Sequence, residues 1–182
     1  MQTLQRAGHI DLFYGDESGF SLLPVVPYGW QPPGQIIERP SRYSLRLNVL
    51  AWLSESGGLV HFFTEKSIDS QFVINSINGW SISLMRPTVL VLDNAPIHRS
   101  TVFKAALAGW QAQGLYVFFL PAYSPHLNKI ETLWRKMKYE WLEAVAYTSY
   151  ESLRTAVVKL LTGFGLTHTI KFAQRHCIIN SV

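Results

Sequence analysis

The sequence predicts an α/β fold, a mixed sheet of five strands flanked by helices. Three observations point there. Two short, continuous apolar runs, Thr88–Leu92 and Leu115–Leu120, have the length and composition of strands covered on both faces. Segments of helical periodicity lie between and after them. Ahead of them, apolar and polar residues alternate up to a Gly-Gly pair, the mark of a hairpin with one wet face.

Taken in order, Ile10–Tyr14 reads as the first strand, running into Gly15-Asp16-Glu17-Ser18-Gly19 and leaving Asp16 at its end. Pro24, Pro27, Pro32, Pro33 and Gly34 punctuate a long irregular stretch. Strand structure resumes near Tyr43, where Tyr43, Leu45, Leu47, Val49 and Ala51 alternate with Arg42, Ser44, Arg46 and Asn48. Gly57-Gly58 turns the chain and Leu59–Thr64 returns. A helix over about Ile68–Leu84 carries Phe72, Val73, Ile77 and Trp80 on one stripe, and Pro87 blocks its continuation. Ser100 opens a helix with Val102, Phe103, Ala106, Leu107 and Trp110 inward, closed by Gly114. A proline-containing loop leads to a long helix, about Lys129–Val145, with Ile130, Leu133, Trp134, Met137, Trp141, Ala144 and Val145 as its core stripe. A last helix covers about Ser149–Leu161. A three-stranded meander followed by αβ units is the element order of a ribonuclease-H-like fold.

With 182 residues the chain is read as one domain, residues 1–182. Apolar residues at 48% against 15% charged make it globular rather than disordered. The single cysteine, Cys177, excludes an internal disulfide and a cysteine-rich zinc site. Met1–Ile10 lacks the apolar core of a signal peptide, and no apolar run is long enough to span a membrane, so a cytoplasmic protein is expected. A net charge of +4 permits a polyanionic partner without requiring one. Gly15–Gly19 is not a G-x-S-x-G elbow, and neither H-E-x-x-H nor a phosphate-binding G-x-x-x-x-G-K-[ST] occurs. Serine hydrolysis, zinc peptidase chemistry and nucleoside-triphosphate chemistry therefore have no support.

With only twelve acidic residues, each can be weighed by position. Asp16 ends the first predicted strand. Asp93 ends a buried strand, where sites of open α/β sheets lie, though Asp93-Asn94-Ala95-Pro96 also suits a turn or helix cap. Glu131 borders the core stripe of the long helix with Arg135 and Lys138 on its flank, and Asn128-x-x-Glu131 also fits a capping box. In the predicted fold the three acids meet at one sheet edge. Converging carboxylates repel unless a cation joins them, and hard oxygen ligands favour Mg²⁺ or Mn²⁺. Two such ions could activate a water or a 3′-OH at a phosphodiester and stabilise the leaving oxygen.

Three blocks carry a resemblance. Tyr14–Phe20 (YGDESGF), Val91–His98 (VLDNAPIH) and Leu120–Trp134 (LPAYSPHLNKIETLW) resemble the catalytic blocks of mariner-like DDE transposases, most of all the branch found in bacterial insertion sequences. Gly29–Gly34 resembles that family's Trp-x-x-x-Gly element. The likeness runs over roughly residues 10–155. It implies a ribonuclease-H-like fold, two divalent ions and cut-and-paste transposition, with Asp16, Asp93 and Glu131 as catalytic and metal-binding triad. Asp93 would be shared by both ions, with Asp16 and Glu131 on one each. Thirty-eight positions separate Asp93 from Glu131, in the range of such families. Glu17 competes with Asp16, but neighbours on a strand face opposite ways and the motif favours Asp16. The resemblance further implies double-stranded DNA as partner, at transposon ends and at the target, a homodimer that pairs two ends, and a place on the bacterial nucleoid.

Departures from the pattern are specific. Lys129 stands where the family usually has proline, which suits a first helical turn; its loss is expected to loosen the loop before Glu131 while Asn128 still caps. Fifteen residues precede Asp16, too few for the family's N-terminal helix-turn-helix domains, so the sequence reads equally as a split reading frame, a frameshift product, an excised domain or a decayed copy, and a separate polypeptide carrying those domains is one expected partner. Residues from Thr167 onward match nothing in the family. The alternative to a transposase catalytic domain is an idle remnant that only binds DNA or dimerises. Among other candidates, Asn94 and His98 are expected to support Asp93 from behind, and Tyr123, Arg135 and Lys138 to contact DNA. Trp30 could stack on a base or pack in the core, and Trp134 is expected to be a core residue.

Overall fold

The computed structural model describes residues 1–23 and 45–172. The Gly29–Gly34 element, Trp30, the strand start at Tyr43 and Cys177 lie outside the described residues. The chain forms a five-stranded sheet in the order β3-β2-β1-β4-β5, from β1 (Asp11–Phe20), β2 (Leu47–Ser54), β3 (Leu59–Thr64), β4 (Thr88–Leu92) and β5 (Leu115–Phe119). The meander strands pair antiparallel, β1 with β2 and β2 with β3. The pairs β1–β4 and β4–β5 are parallel. The mixed sheet is the predicted one.

Helices α2 (Ser70–Ser81) and α3 (Thr101–Ala112) cover one face of the sheet. Val73, Ile77, Trp80, Phe103 and Trp110 pack there on Leu50, Trp52, Leu90 and Leu92. Helices α4 (Ile130–Lys136) and α5 (Tyr150–Thr162) cover the other, where Ile130, Leu133, Trp134, Leu153 and Val157 meet Leu12, Tyr14, Val49, Ala51 and Val91. Three of these helices have side-chain caps of the expected kind. Asp69, Ser100 and Ser149 accept from the backbone N–H of Phe72, Phe103 and Ser152. A short N-terminal helix, α1 (Gln2–Arg6), has no signal in the apolar pattern; none of its residues is buried.

The structure corrects several expectations. The first strand does not stop at Tyr14 but continues to Phe20, because β2 goes on pairing with it as far as Phe20↔Leu47. The strand β5 is not covered on both faces: Tyr116 and Phe118 are exposed, as an edge strand of the sheet permits. Val102, expected inward, is exposed near the start of α3. The expected long helix is broken. Its α-helical part ends at Lys136, a wide π-helical turn spans Met137–Trp141, and Leu142 leaves the helix with extended backbone. The break rotates the register, so Leu142 and Ala146 are buried while Ala144 and Val145, expected in the core, are exposed.

Candidate metal centre

The register of β1 against β4 places the first two acids. Their last paired residues are Tyr14 and Val91, and two steps further along each parallel strand stand Asp16 and Asp93. Past that point β1 continues on β2 alone, so Asp16 lies mid-strand and not at a strand end. Gly15 makes this approach possible, since a Cβ there would come within 2.6 Å of the Trp52 ring and 2.7 Å of Leu92. Glu131 arrives from the first turn of α4.

Asn128 fixes that helix start in an unforeseen way. Its side chain does not cap α4; it is buried and donates from Nδ2 to the Gly15 carbonyl at 3.0 Å. The capping box expected at Asn128–Glu131 is therefore not formed, because the Gly15 carbonyl, just past the last β1–β4 partners, takes the amide instead. Nor is the loop loosened at Lys129. The Lys129 ammonium pairs with Glu55 of the β2–β3 hairpin and lies over the Tyr14 and Phe172 rings, 5.6 and 5.3 Å from their centroids.

Asp16, Asp93 and Glu131 line one cleft of about 380 Å³, together with Asn94, Arg99, Tyr123, Ser124 and Asn128. Each acid has its own environment. Burial first, then the charges of Glu17, Glu131 and Asp93, push the Asp16 carboxyl up to about 8. Trp134 donates from Nε1 to Asp16 Oδ2 at 3.1 Å. Asp93 moves the other way. Its Oδ1 lies 2.9 Å from His98 Nδ1 and accepts from the Ala95 N–H at 3.1 Å, and the bond to His98 holds its carboxyl below the usual range. Burial raises the Glu131 carboxyl, and the nearby Lys138 ammonium opposes that rise. Lys138 itself lies over the Phe20 ring at 5.4 Å.

The remaining expectations divide. His98 is fully buried behind Asp93 and not at the cleft surface. Asn94 is exposed in the cleft wall, and Asp93 takes its support from His98 and Ala95 instead. Tyr123 stands fully exposed at the cleft mouth in left-handed backbone (φ 56°), which a non-glycine residue adopts rarely. Arg135 is exposed on α4, outside the cleft lining. Trp134, expected only in the core, both packs there and bonds Asp16. Its position three residues after Glu131 on one helix was a usable signal for a shared face. Arg99, a cation in the cleft wall, carried no signal in sequence.

The donor set fits a divalent cation. It consists of hard carboxylate oxygens, and the raised Asp16 marks a place where uncompensated negative charge is costly. Among the described residues no three His, Cys, Asp or Glu side chains stand close enough together to hold a metal ion by themselves, so water or substrate oxygens would have to complete the coordination. An open arrangement suits Mg²⁺, which binds a few carboxylates and keeps sites for water and substrate phosphate.

Residues 11–154 match the family model described as DDE superfamily endonuclease. The chain belongs to that family. No curated protein matches it in sequence. As a DDE superfamily endonuclease it has clear likenesses among solved structures. The mariner Mos1 paired-end complex with Mg is 19% identical with a TM-score of 0.61, over 89% of this chain and 52% of the Mos1 chain. The catalytic domain of Mos1 mariner transposase is 17% identical with a TM-score of 0.55, over 88% of this chain and 74% of that one. A simian T-cell lymphotropic virus intasome is 14% identical with a TM-score of 0.53. These likenesses show the ribonuclease-H-like fold. The chain spans about half the length of the Mos1 chains in the paired-end complexes. No helix among the described residues is long and apolar enough to cross a membrane.

Proposed function

We propose that this chain is the catalytic domain of a DDE transposase that cleaves DNA phosphodiesters at transposon ends and joins the freed 3′ ends to target DNA. One observation carries the reading: three acids from two strand regions and one helix line a single cleft, where burial first, and then neighbouring carboxylates, push the Asp16 carboxyl up. Asp16, Asp93 and Glu131 would hold two Mg²⁺ or Mn²⁺ ions. Such ions supply an activated oxygen nucleophile and charge stabilisation at phosphorus. The Mos1 paired-end complexes with Mg and with Mn support that choice of metal.

The chain's own residues set up the rest. His98 holds Asp93 in orientation from behind, and Trp134 does the same for Asp16. Lys138 keeps positive charge beside Glu131. Arg99 and Tyr123 at the cleft wall, with the exposed Arg135 of α4, form the surface on which the DNA backbone rests. Two copies pair two ends. The likeness to the Mos1 paired-end complexes supports the pairing.

The test is Mn²⁺ titration by calorimetry, then cleavage of transposon-end duplex, with wild type beside Asp93→Ala. Saturable Mn²⁺ binding and metal-dependent nicking, both lost in the variant, are expected. Full cleavage by Asp93→Ala refutes the reading.

A further inference from the structure

Glu17 was set aside in favour of Asp16 because adjacent strand residues face opposite ways, and the structure does place the two on opposite sides of the sheet. The face Glu17 occupies is informative. Gly15, two residues earlier, turns its Cβ position onto Trp52 and Leu92, in the core beneath α2 and α3. By strand alternation Glu17 points to that same side. His98 is there too, its ring against Phe103 at 5.7 Å between centroids. The Tyr14–Val91 register brings this part of β1 alongside the turn that carries Asp93 and His98.

Two atoms on that side stand out. His98 is fully buried and uses Nδ1 on Asp93, and its Nε2 is buried with no protein partner. Glu17 Oε2 is likewise buried with no protein partner. A buried ring nitrogen and a buried carboxyl oxygen each need a hydrogen bond, and they are complementary whichever of them carries the proton.

We propose that Glu17 is a positioning residue: linked to His98 Nε2, directly or through one internal water, it fixes the ring whose Nδ1 holds Asp93. This rests on the proposed metal centre. It makes Asp93–His98–Glu17 a chain running through the sheet edge, so the two adjacent acids of the first block act on the site from opposite faces, Asp16 within the cleft and Glu17 behind it. Metal-ligating carboxylates are tuned by such outer partners, whose loss typically weakens metal binding about tenfold or more.

The experiment uses the full chain labelled with ¹⁵N-histidine, metal-free and at one pH, with the His98 resonances identified by their loss in His98→Asn. Wild type, Glu17→Gln and Glu17→Ala are compared, each shown to be folded by its thermal transition, and Mn²⁺ affinity is then measured on the same samples. In Glu17→Ala the Nε2 resonance is expected at the position of an unbonded ring nitrogen, with Mn²⁺ affinity down about tenfold. Glu17→Gln should keep both, because its amide can donate to Nε2. An Nε2 resonance unmoved by Glu17→Ala overturns the proposal, and would assign Glu17 to the Trp52 indole, whose Nε1 is also buried without a partner. Should Glu17→Ala not fold, Glu17→Met fills the space without a hydrogen bond and must show the same displaced resonance. If wild type binds no Mn²⁺, the metal centre fails, while the resonance still decides the link between Glu17 and His98.

Discussion

Replacing Asp16 by Asn should make the metal-free protein more stable while removing its metal binding. The Asp16 carboxyl has an ordinary value of 3.8 and is raised in the fold to about 8. A raised folded value means the native state holds a proton that the unfolded chain releases. Stability is therefore fully present below pH 3.8 and declines as pH rises toward about 8. At about 1.4 kcal/mol per pKa unit the whole shift corresponds to roughly 6 kcal/mol. Asp16 lies at the wall of an open cleft, where water and neighbouring acids respond, and a gain of about 2 kcal/mol for the neutral amide is expected. The Asn oxygen can still accept from Trp134 Nε1, so that hydrogen bond is retained. In a chain of this length such a gain raises Tm by about 4–8 °C. The assay is thermal unfolding of both proteins in chelator at a series of pH values from 5 to 9. The advantage of Asp16→Asn should grow with pH and level off above about pH 8. Excess Mn²⁺ should then reverse the order, stabilising wild type by mass action and leaving the variant unmoved. A difference in Tm that is the same at every pH, or a variant less stable than wild type at pH 9 in chelator, refutes the reasoning.

Three other substitutions test the positions around the acids. Trp134→Phe keeps the ring in the core and removes only the bond to Asp16; about tenfold weaker Mn²⁺ binding is expected by calorimetry, with stability lowered by about 1 kcal/mol. Asn128→Ala leaves the Gly15 carbonyl without its buried donor, and urea unfolding should show a loss of about 1–3 kcal/mol; a loss near zero would mean the amide does not anchor α4. Gly15→Ala drives a methyl into Trp52 and Leu92, at an expected cost of about 1–3 kcal/mol with altered Trp fluorescence, and an unchanged transition would contradict the close approach.

Much of the fold was legible because the signals are local. The continuous run Thr88–Leu92 is a strand covered on both sides. The alternation ending at Gly57-Gly58 is a hairpin strand as expected, but it has no wet face: Leu47, Val49 and Ala51 pack beneath α4 and α5, and Leu50 and Trp52 beneath α2 and α3, because β2 is an inner strand of the sheet. Where reading failed, a neighbour distant in sequence had decided. Tyr14 looked like a strand end because the polar run Gly15–Gly19 reads as a turn, yet pairing with Leu47–Trp52 keeps it extended. The run Leu115–Leu120 carries apolar residues on both faces although one face of β5 is open at the sheet edge. The stripe beyond Met137 holds helical period on paper, but the π-helical turn moves it out of register.

The three sequence blocks suffice to place the chain in its family and to nominate Asp16, Asp93 and Glu131 as its candidate acids, because residue type and spacing along the chain are what a motif records. Sequence alone could not tell what each acid would feel. That depended on which atoms approach across the sheet: the Trp134 indole on Asp16, the His98 ring on Asp93, the Lys138 ammonium beside Glu131. It also depended on the Asn128 amide turning inward to Gly15 and not back onto its own helix. These contacts join residues up to 118 positions apart. Hydrogen bonding and desolvation act over a few ångströms of space, so only the folded chain determines which acid is raised, which is lowered, and which groups stand behind them.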